Sequence, residues 1–336
     1  MNRYATIRGS GIYIPTEEHP NEEFRRRFDP EAIDKMEAAT GIKTRFYAPA
    51  DWAASDLAVE AGRAALASAR VAPEEIDLVI LGTDTPDYLT PATSVVVQHK
   101  MGLKRAGTFD IGCACASFPT GLTVAAGIIA TQPQIRNILV VGVYLMHKLA
   151  DLYKDPVSFY YGDGAGAVVV TAGSEPGFVS GVYQADGSYA KCWGIYAGGT
   201  AEPATHEAVE AGRTQVRFIE KFPSSVNREG WPRMVREAAK NGGFRLEEID
   251  HLIFTQVRSK TIDEVMEDLG LPGGKAHKIM DKWGYMGSAC LPIAFHDAVA
   301  QKKIKGGDLV LFVGSGVGYN QCTAAMRLPK EYGRSR

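Results

Sequence analysis

The sequence predicts an α/β protein built from one unit used twice, and three observations carry that prediction. First, Pro73-Glu-Glu-Ile-Asp-Leu-Val-Ile-Leu-Gly82 is echoed by Leu246-Glu-Glu-Ile-Asp-His-Leu-Ile-Phe-Thr255, with Ile76 matching Ile249. Second, each copy follows an amphipathic helical stretch, Ser55 to Arg70 and Trp231 to Asn241, and each enters an apolar run of buried-strand character. Third, Phe109 to Ala130 is followed by the strand-like Asn137-Ile-Leu-Val-Val-Gly142, as Lys278 to Ala300 is followed by Asp308-Leu-Val-Leu-Phe-Val-Gly314. The order helix, strand, loop, strand, buried helix, strand therefore occurs twice. It implies mostly parallel sheets covered by helices and packed around shared central helices. The halves are expected over residues 1–172 and 173–336, joined in one compact unit.

The other segments read as connections, with one exception. Glu17 to Thr40 is charged, has a helical pattern suited to the surface, and ends at Gly41 in the position of a helix stop. The exception is Phe109-Asp-Ile-Gly-Cys-Ala-Cys-Ala-Ser-Phe118, where a short strand runs into a helix with two cysteines at the junction. The helix itself, Pro119 to Ala130, has no polar face beyond two threonines and must be covered all round by protein. A thiol at its start faces unpaired N–H groups and the positive dipole end, both of which favour thiolate. A sharp strand-to-helix turn of this kind presents one reactive side chain. Free cysteine is also among the most buried residue types, so these residues alone leave nucleophile and core packing equally open. Tyr161-Gly-Asp-Gly-Ala-Gly-Ala-Val-Val-Val170 lacks the Lys-Ser/Thr of a phosphate loop and the spacing of a dinucleotide fingerprint, so it reads as close backbone packing. Lys191 to Arg213, rich in Gly, Ala and Thr, is the long loop expected to wall a cavity.

Composition narrows the function classes. The chain has 336 residues, 45% hydrophobic and 23% charged, and a net charge of -2 (37 Lys plus Arg against 39 Asp plus Glu), which gives no global field for nucleic acid. Five scattered cysteines do not form a disulfide framework and suit a reducing, cytoplasmic setting. The N-terminus lacks the apolar core of a signal peptide, and no stretch of about 18 apolar residues is expected to span a bilayer. No Cys/His/Asp spacing suggests a metal.

Several motifs in order then point to a family. The chain resembles the ketoacyl-ACP synthase III group of thiolase-fold condensing enzymes nearly end to end. The resemblance rests on Gly9-Ser-Gly-Ile-Tyr-Ile-Pro15, Thr40-Gly-Ile42, Phe109-Asp110 with Cys115-Ala116, Gly162-Asp-Gly-Ala-Gly166, Asp186-Gly-Ser188 and Gly314-Ser-Gly-Val-Gly318. It implies a five-layered αβαβα thiolase fold and a homodimer, with Ile138 to Gly142 as the pairing strand. It also implies that Cys115 is acylated by acyl-CoA or acyl-ACP, with no permanently bound cofactor. The backbone N–H groups of Cys115 and of Gly316 or Gly318 would serve the oxyanion. Cys113, Cys192 and Cys322 are expected in the core.

Two departures limit what that resemblance carries over. Thr255 stands where the family has its catalytic histidine, and Tyr285 where it has its asparagine. In decarboxylative condensation those groups stabilise the malonyl enolate, roughly 2.7–4 kcal/mol per donor in comparable oxyanion sites. A threonine and a phenol can donate hydrogen bonds, but neither is a ready base near pH 7. The expectation is therefore an acyltransferase of fatty-acid or polyketide-like metabolism that loads Cys115 but does not decarboxylate malonyl thioesters in the ordinary way. The alternatives are a decarboxylating synthase with a substituted site and a noncatalytic subunit paired with an active paralogue. Lys35 and Ala39 fall near the family's carrier-site tryptophan and arginine, and Asp155 near another arginine. Lys35, Lys43, Arg45, Arg258 and Lys260 are left as a basic rim for an acidic carrier. His206 and His147 are candidate substitute bases, while His251, His277 and His296 read as structural.

Overall fold

The computed structural model describes residues 3–220, 222–223 and 225–333. Its first sheet runs in the order Tyr4–Tyr13, Gly164–Gly173, Asn137–Tyr144, Leu78–Gly82, Gly107–Ile111. The second runs His251–Phe254, Leu309–Gly316, Asn320–Arg327, Phe178–Ala185. Taken from its other end, the second sheet repeats the first four strands of the first. Where the first has Gly107–Ile111 beside Leu78–Gly82, the second has a single parallel bridge between Leu252 and Ala276.

The repeated sequence explains why the two copies fold alike. Pro73–Glu75 and Leu246–Glu248 each form one 3-10 turn, and Ile76 and Ile249 are buried behind them. The next residue in each copy is an aspartate that ties down the neighbouring strand. The Asp77 carboxylate accepts from the Asn137 N–H at 3.1 Å, and the Asp250 carboxylate accepts from the Leu309 N–H at 2.8 Å. Each aspartate thus sets the register of a parallel pair through a charge-assisted bond.

The expectation of mostly parallel sheets is corrected. Leu78–Gly82 is parallel to both its neighbours, but Gly164–Gly173 pairs antiparallel with Asn137–Tyr144 and with Tyr4–Tyr13. In the second sheet only His251–Phe254 with Leu309–Gly316 is parallel. Each buried helix is the crossover to a parallel strand, Asn137–Tyr144 or Leu309–Gly316; after that strand the chain returns without an α-helical crossover, and a strand that doubles back in this way pairs antiparallel.

Five layers result. Ala54–Ala69 covers the outer face of the first sheet, and Ser225–Gly242 covers that of the second. Between the sheets lie Ser117–Thr131 and Cys290–Ala300, the two helices that follow the junctions. Along Asn137–Tyr144, Ile138 and Val140 face the central helices, while Leu139, Val141 and Val143 face the outer one. Both faces are buried, which is why the strand reads as an unbroken apolar run.

Three further expectations change. Ala114–Thr131 is apolar and long enough to cross a membrane by composition, contrary to the sequence reading, but it sits packed between the two sheets. Glu17 to Thr40 is not one helix. Glu17–Pro20 pairs with Thr44–Tyr47, and two helices follow, Asn21–Arg27 and Pro30–Thr40, the second capped by the Asp29 carboxylate and ended by Gly41 at φ 79°. Asn137–Tyr144 cannot be the pairing strand of a dimer, because it has a partner on each side and every residue of it is buried. The edges of that sheet are Tyr4–Tyr13 and Gly107–Ile111, the second the less covered of the two.

The glycine run behaves as close packing. A Cβ on Gly166 would lie 2.8 Å from the Pro292 side chain, and one on Gly162 would lie 2.5 Å from the Trp283 carbonyl oxygen. These glycines let the first sheet lie directly against the second central helix and the turn before it.

Candidate active site

Cys115 sits in the 3-10 turn Ala114–Ala116, between the edge strand and the Ser117–Thr131 helix. Ala114 holds φ 46°, a left-handed conformation unusual for a residue with a Cβ, and it swings the next side chain out of the strand direction. The turn is braced by Ser117, whose hydroxyl donates to the Ile111 carbonyl at 3.1 Å and accepts from the Cys113 N–H at 3.0 Å. The strained junction expected from the sequence is therefore present, and Cys115 is at its tip.

Two cavities meet at that tip. The larger, about 810 Å³, is lined by Thr255, Arg258, Asn227, Ser315, Gly316 and Tyr319 among others. The smaller, about 330 Å³, is lined by Asp84, Tyr144, Met146, Ile195, Tyr196 and Gly318 among others. Cys115, Tyr285, Trp193 and Val317 border both. Trp193 and its neighbours come from the Lys191 to Arg213 loop, so that segment does form a wall.

Tyr285 is the direct partner of Cys115. Its hydroxyl is hydrogen-bonded to the Cys115 sulfur. The backbone fixes it there, since the Tyr285 N–H donates to the Tyr160 carbonyl and its own carbonyl accepts from the Gly162 N–H, both at 2.9 Å. Around it stand Tyr144 at 5.8 Å and Trp193 at 6.2 Å between ring centres, and the Trp193 indole donates to the Tyr161 hydroxyl at 3.1 Å. Thr255 is buried on the other side. Its hydroxyl oxygen accepts from the Ser315 N–H at 2.9 Å, and the residue lines the larger cavity.

The electrostatics reverse one expectation. Burial pushes the Cys115 thiol well above its ordinary value, and the Asp84 carboxylate adds to the rise; only the Tyr285 hydrogen bond and the backbone oppose it. The helix start does not win, because a dry site disfavours the thiolate more than one turn of N–H groups stabilises it. Burial raises the Tyr285 and Tyr144 hydroxyls as well. Asp84 itself is pushed up to about 6, again chiefly by burial. The resting site is an uncharged thiol among uncharged phenols.

The predicted residues divide clearly. Cys115, Thr255, Tyr285, Gly316, Gly318 and Arg258 line the two cavities. Gly316 packs so tightly over the junction that a Cβ there would lie 2.1 Å from the Cys113 carbonyl oxygen, so the glycine loop lies directly against the elbow. The two candidate bases are corrected. His147 is bound to the Asp163 carboxylate and stacked on Tyr47 at 4.7 Å, while His206 is exposed at the start of a short helix; neither lines either cavity. The basic rim also shrinks. Arg45 is fully buried, with its guanidinium 4.3 Å over Phe24 and 4.7 Å over Phe159 and bonded to Asn21, and burial lowers it to about 10. Lys35 and Lys260 are exposed on two helices that pack together, Pro30–Thr40 and Ser259–Asp268, and Lys35 lies 4.0 Å from Glu31. Cys113 is half-buried rather than core, whereas Cys192 and Cys322 are buried as expected.

The sequence reading missed Asp84, Tyr144, Ser315 and Tyr319. Each stands at or just beyond the end of a sheet strand, and in open α/β sheets the carboxyl ends of parallel strands are where ligands gather. That rule, applied to Thr83-Asp-Thr after the first repeat, was the available signal for Asp84.

Known proteins share this sequence pattern and fold. Residues 109–187 match the family model of 3-oxoacyl-[acyl-carrier-protein] synthase III, and residues 239–328 match that of its C-terminal part. The chain is 34% identical over 321 residues to a β-ketoacyl-[acyl-carrier-protein] synthase III of Clostridioides difficile strain 630, covering 95% of this chain and 96% of that one. It is 32% identical to the protein of that name from Methylococcus capsulatus strain Bath, covering 97% and 100%. The crystal structure of the priming β-ketosynthase of the R1128 polyketide biosynthetic pathway superposes with a TM-score of 0.86 at 29% identity, covering 98% of this chain and 97% of that one. The chain belongs to the 3-oxoacyl-[acyl-carrier-protein] synthase III family of thiolase-fold acyltransferases.

Proposed function

We propose that this chain takes an acyl group from an acyl-CoA or acyl-ACP onto Cys115 and passes it to a second substrate without ordinary malonyl decarboxylation. The observation that carries this reading is the pairing of Cys115 with the Tyr285 hydroxyl at the meeting point of two cavities, with no imidazole lining either among the described residues. In the loading step a carbon–sulfur bond forms at Cys115 and the donor's carbon–sulfur bond breaks. The Cys115 proton leaves with the departing thiol. Tyr285 serves as the hydrogen-bond donor that stabilises the sulfur as the proton is lost. The backbone N–H groups of Cys115 and of Gly316 or Gly318 receive the oxyanion. Thr255 offers its O–H to the group that enters the larger cavity, but as a single neutral donor it is a weak substitute for an imidazole in holding an enolate.

The larger cavity suits the carrier arm, and Arg258 at its edge suits the arm's phosphate or an acidic carrier surface. Lys260 and Lys35 extend that surface. A homodimer is the default assembly, joined through Gly107–Ile111, whose residues are only partly covered within one chain. The high thiol also favours a second reading, a noncatalytic subunit paired with an active paralogue.

Three assays run together separate these readings: labelled carbon dioxide release from malonyl-ACP, acyl transfer to candidate amines, alcohols and β-ketoacyl thioesters, and light scattering. The proposal expects transfer without brisk decarboxylation, from a dimer of identical chains. Brisk decarboxylation would restore an ordinary synthase. Inactivity in both assays, with recovery only in complex with a related chain, would favour the subunit role.

A further inference from the structure

The smaller cavity contains a feature that the acylation chemistry does not use. Asp84 lines it, and among the described residues it has no ion-pair partner. Its one side-chain hydrogen bond among the described residues is from the Ser288 hydroxyl at 3.3 Å. That hydroxyl has one proton, and the Ala114 carbonyl takes it at the shorter distance of 2.9 Å. The carboxylate is thus left with little more than its own backbone N–H in an enclosure otherwise built of Tyr144, Met146, Trp193, Ile195 and Val216. A carboxyl group in such surroundings is stabilised by any donor that enters.

The position of the cavity decides what enters. A thioester whose carbonyl carbon meets the Cys115 sulfur must send its two arms into the two spaces that join there. The carrier arm needs the larger one, with Arg258 at its edge, so the acyl chain takes the smaller. At about 330 Å³ that space lies at the low end of ligand cavities, which admits acyl chains of short and medium length and excludes long ones. We propose that Asp84 selects short acyl thioesters that carry a hydrogen-bond donor, a hydroxyl or an ammonium, on the acyl chain. This rests on the reading of Cys115 as the acylated residue. An alkyl chain of the same length leaves the carboxylate buried and unpaired, and sites built around a buried hydrogen-bonding group discriminate strongly against ligands that lack the partner.

The test uses three four-carbon probes on the full chain: butyryl-CoA, 3-hydroxybutyryl-CoA and 4-aminobutyryl-CoA. The rate of adduct formation on Cys115 is followed by quenched intact mass and peptide mapping. Wild type is expected to load at least one donor-bearing probe roughly tenfold or more faster than butyryl. Asp84→Leu should lose that preference and load butyryl faster than wild type. Asp84→Asn, nearly isosteric, should keep part of the preference for the hydroxyl and lose it for the ammonium. Equal loading of all three probes by wild type would overturn the proposal and leave Cys115 acylation intact, as would an unchanged preference in Asp84→Leu. Loss of all loading in a folded Asp84→Asn would overturn it by making Asp84 part of the chemistry. No adduct on Cys115 from any probe would overturn the underlying reading as well.

Discussion

The two junctions before the central helices, Ala114-Cys115-Ala116 and Gly287-Ser288-Ala289, are the same piece of structure put to different ends. Both are single 3-10 turns that lead into an apolar helix between the sheets, and both begin with a positive φ, 46° at Ala114 and 40° at Gly287. In the second half the position matching Cys115 is Ser288, fully buried and donating to the Ala114 carbonyl of the first. In the first half the same position opens onto two cavities. The repeat supplies the turn, and of the two copies the first faces open space. The second copy takes glycine at its positive-φ position, while the first keeps alanine there and holds its backbone with less freedom.

Substitutions at these junctions sharpen the contrast. Gly287→Ala should be the most disruptive: its Cβ would lie 2.2 Å from the Tyr144 ring at an unfavourable φ, and a loss of about 2–4 kcal/mol is expected in denaturant unfolding. A negligible change would mean that the second turn is not rigid.

Asp84→Asn comes next, and its effect depends on pH. The folded pKa is raised to about 6, so between the ordinary carboxylate range and pH 6 the folded state binds more protons than the unfolded one, and stability falls as pH rises through that window. Above it wild type bears the cost of an ionised carboxylate in a largely apolar enclosure. The asparagine variant should be more stable by about 2–3 kcal/mol at pH 8 and nearly equal to wild type at pH 4. Equal stability at both would show that Asp84 is solvated.

Tyr285→Phe removes the side-chain hydrogen bond that lowers the Cys115 thiol, so the thiol should move further up. Iodoacetamide alkylation of Cys115 should already be slow at pH 7 and still rising above pH 9, and the variant should react roughly tenfold more slowly at any pH in that range. Faster alkylation in the variant would mean that the phenol shields the sulfur rather than stabilising it. The smallest effect belongs to Ala114→Gly, which relieves the left-handed alanine but adds chain freedom. A gain of about 0.5–1 kcal/mol is expected, together with slower loading of Cys115.

How much of this was legible in the sequence follows from how local each feature is. The doubled unit was readable because Glu-Glu-Ile-Asp places turn, core isoleucine and strand-setting aspartate within a few residues in both halves. Cys115, Thr255 and Tyr285 were readable as positions because the motifs around them are contiguous. Asp84 was not, because its significance comes from Tyr144, Trp193 and Ser288, which lie far off in the chain. Arg45 misled for the same reason. A basic residue in a polar stretch reads as solvated, but Phe24, Phe159 and Asn21 enclose it, and only the fold brings those three together. His147 looked free until Asp163 and Tyr47 were seen to hold it.

The central claim is that the first junction, and not its twin, holds the acyl group. Mapping the covalent adduct after a single turnover with a short acyl thioester tests it most directly. The account predicts one added acyl mass on the peptide bearing Cys115, absent in Cys115→Ala and retained in Ser288→Ala. An adduct on Cys290 or Cys113, or none on any residue of a folded chain, would contradict it.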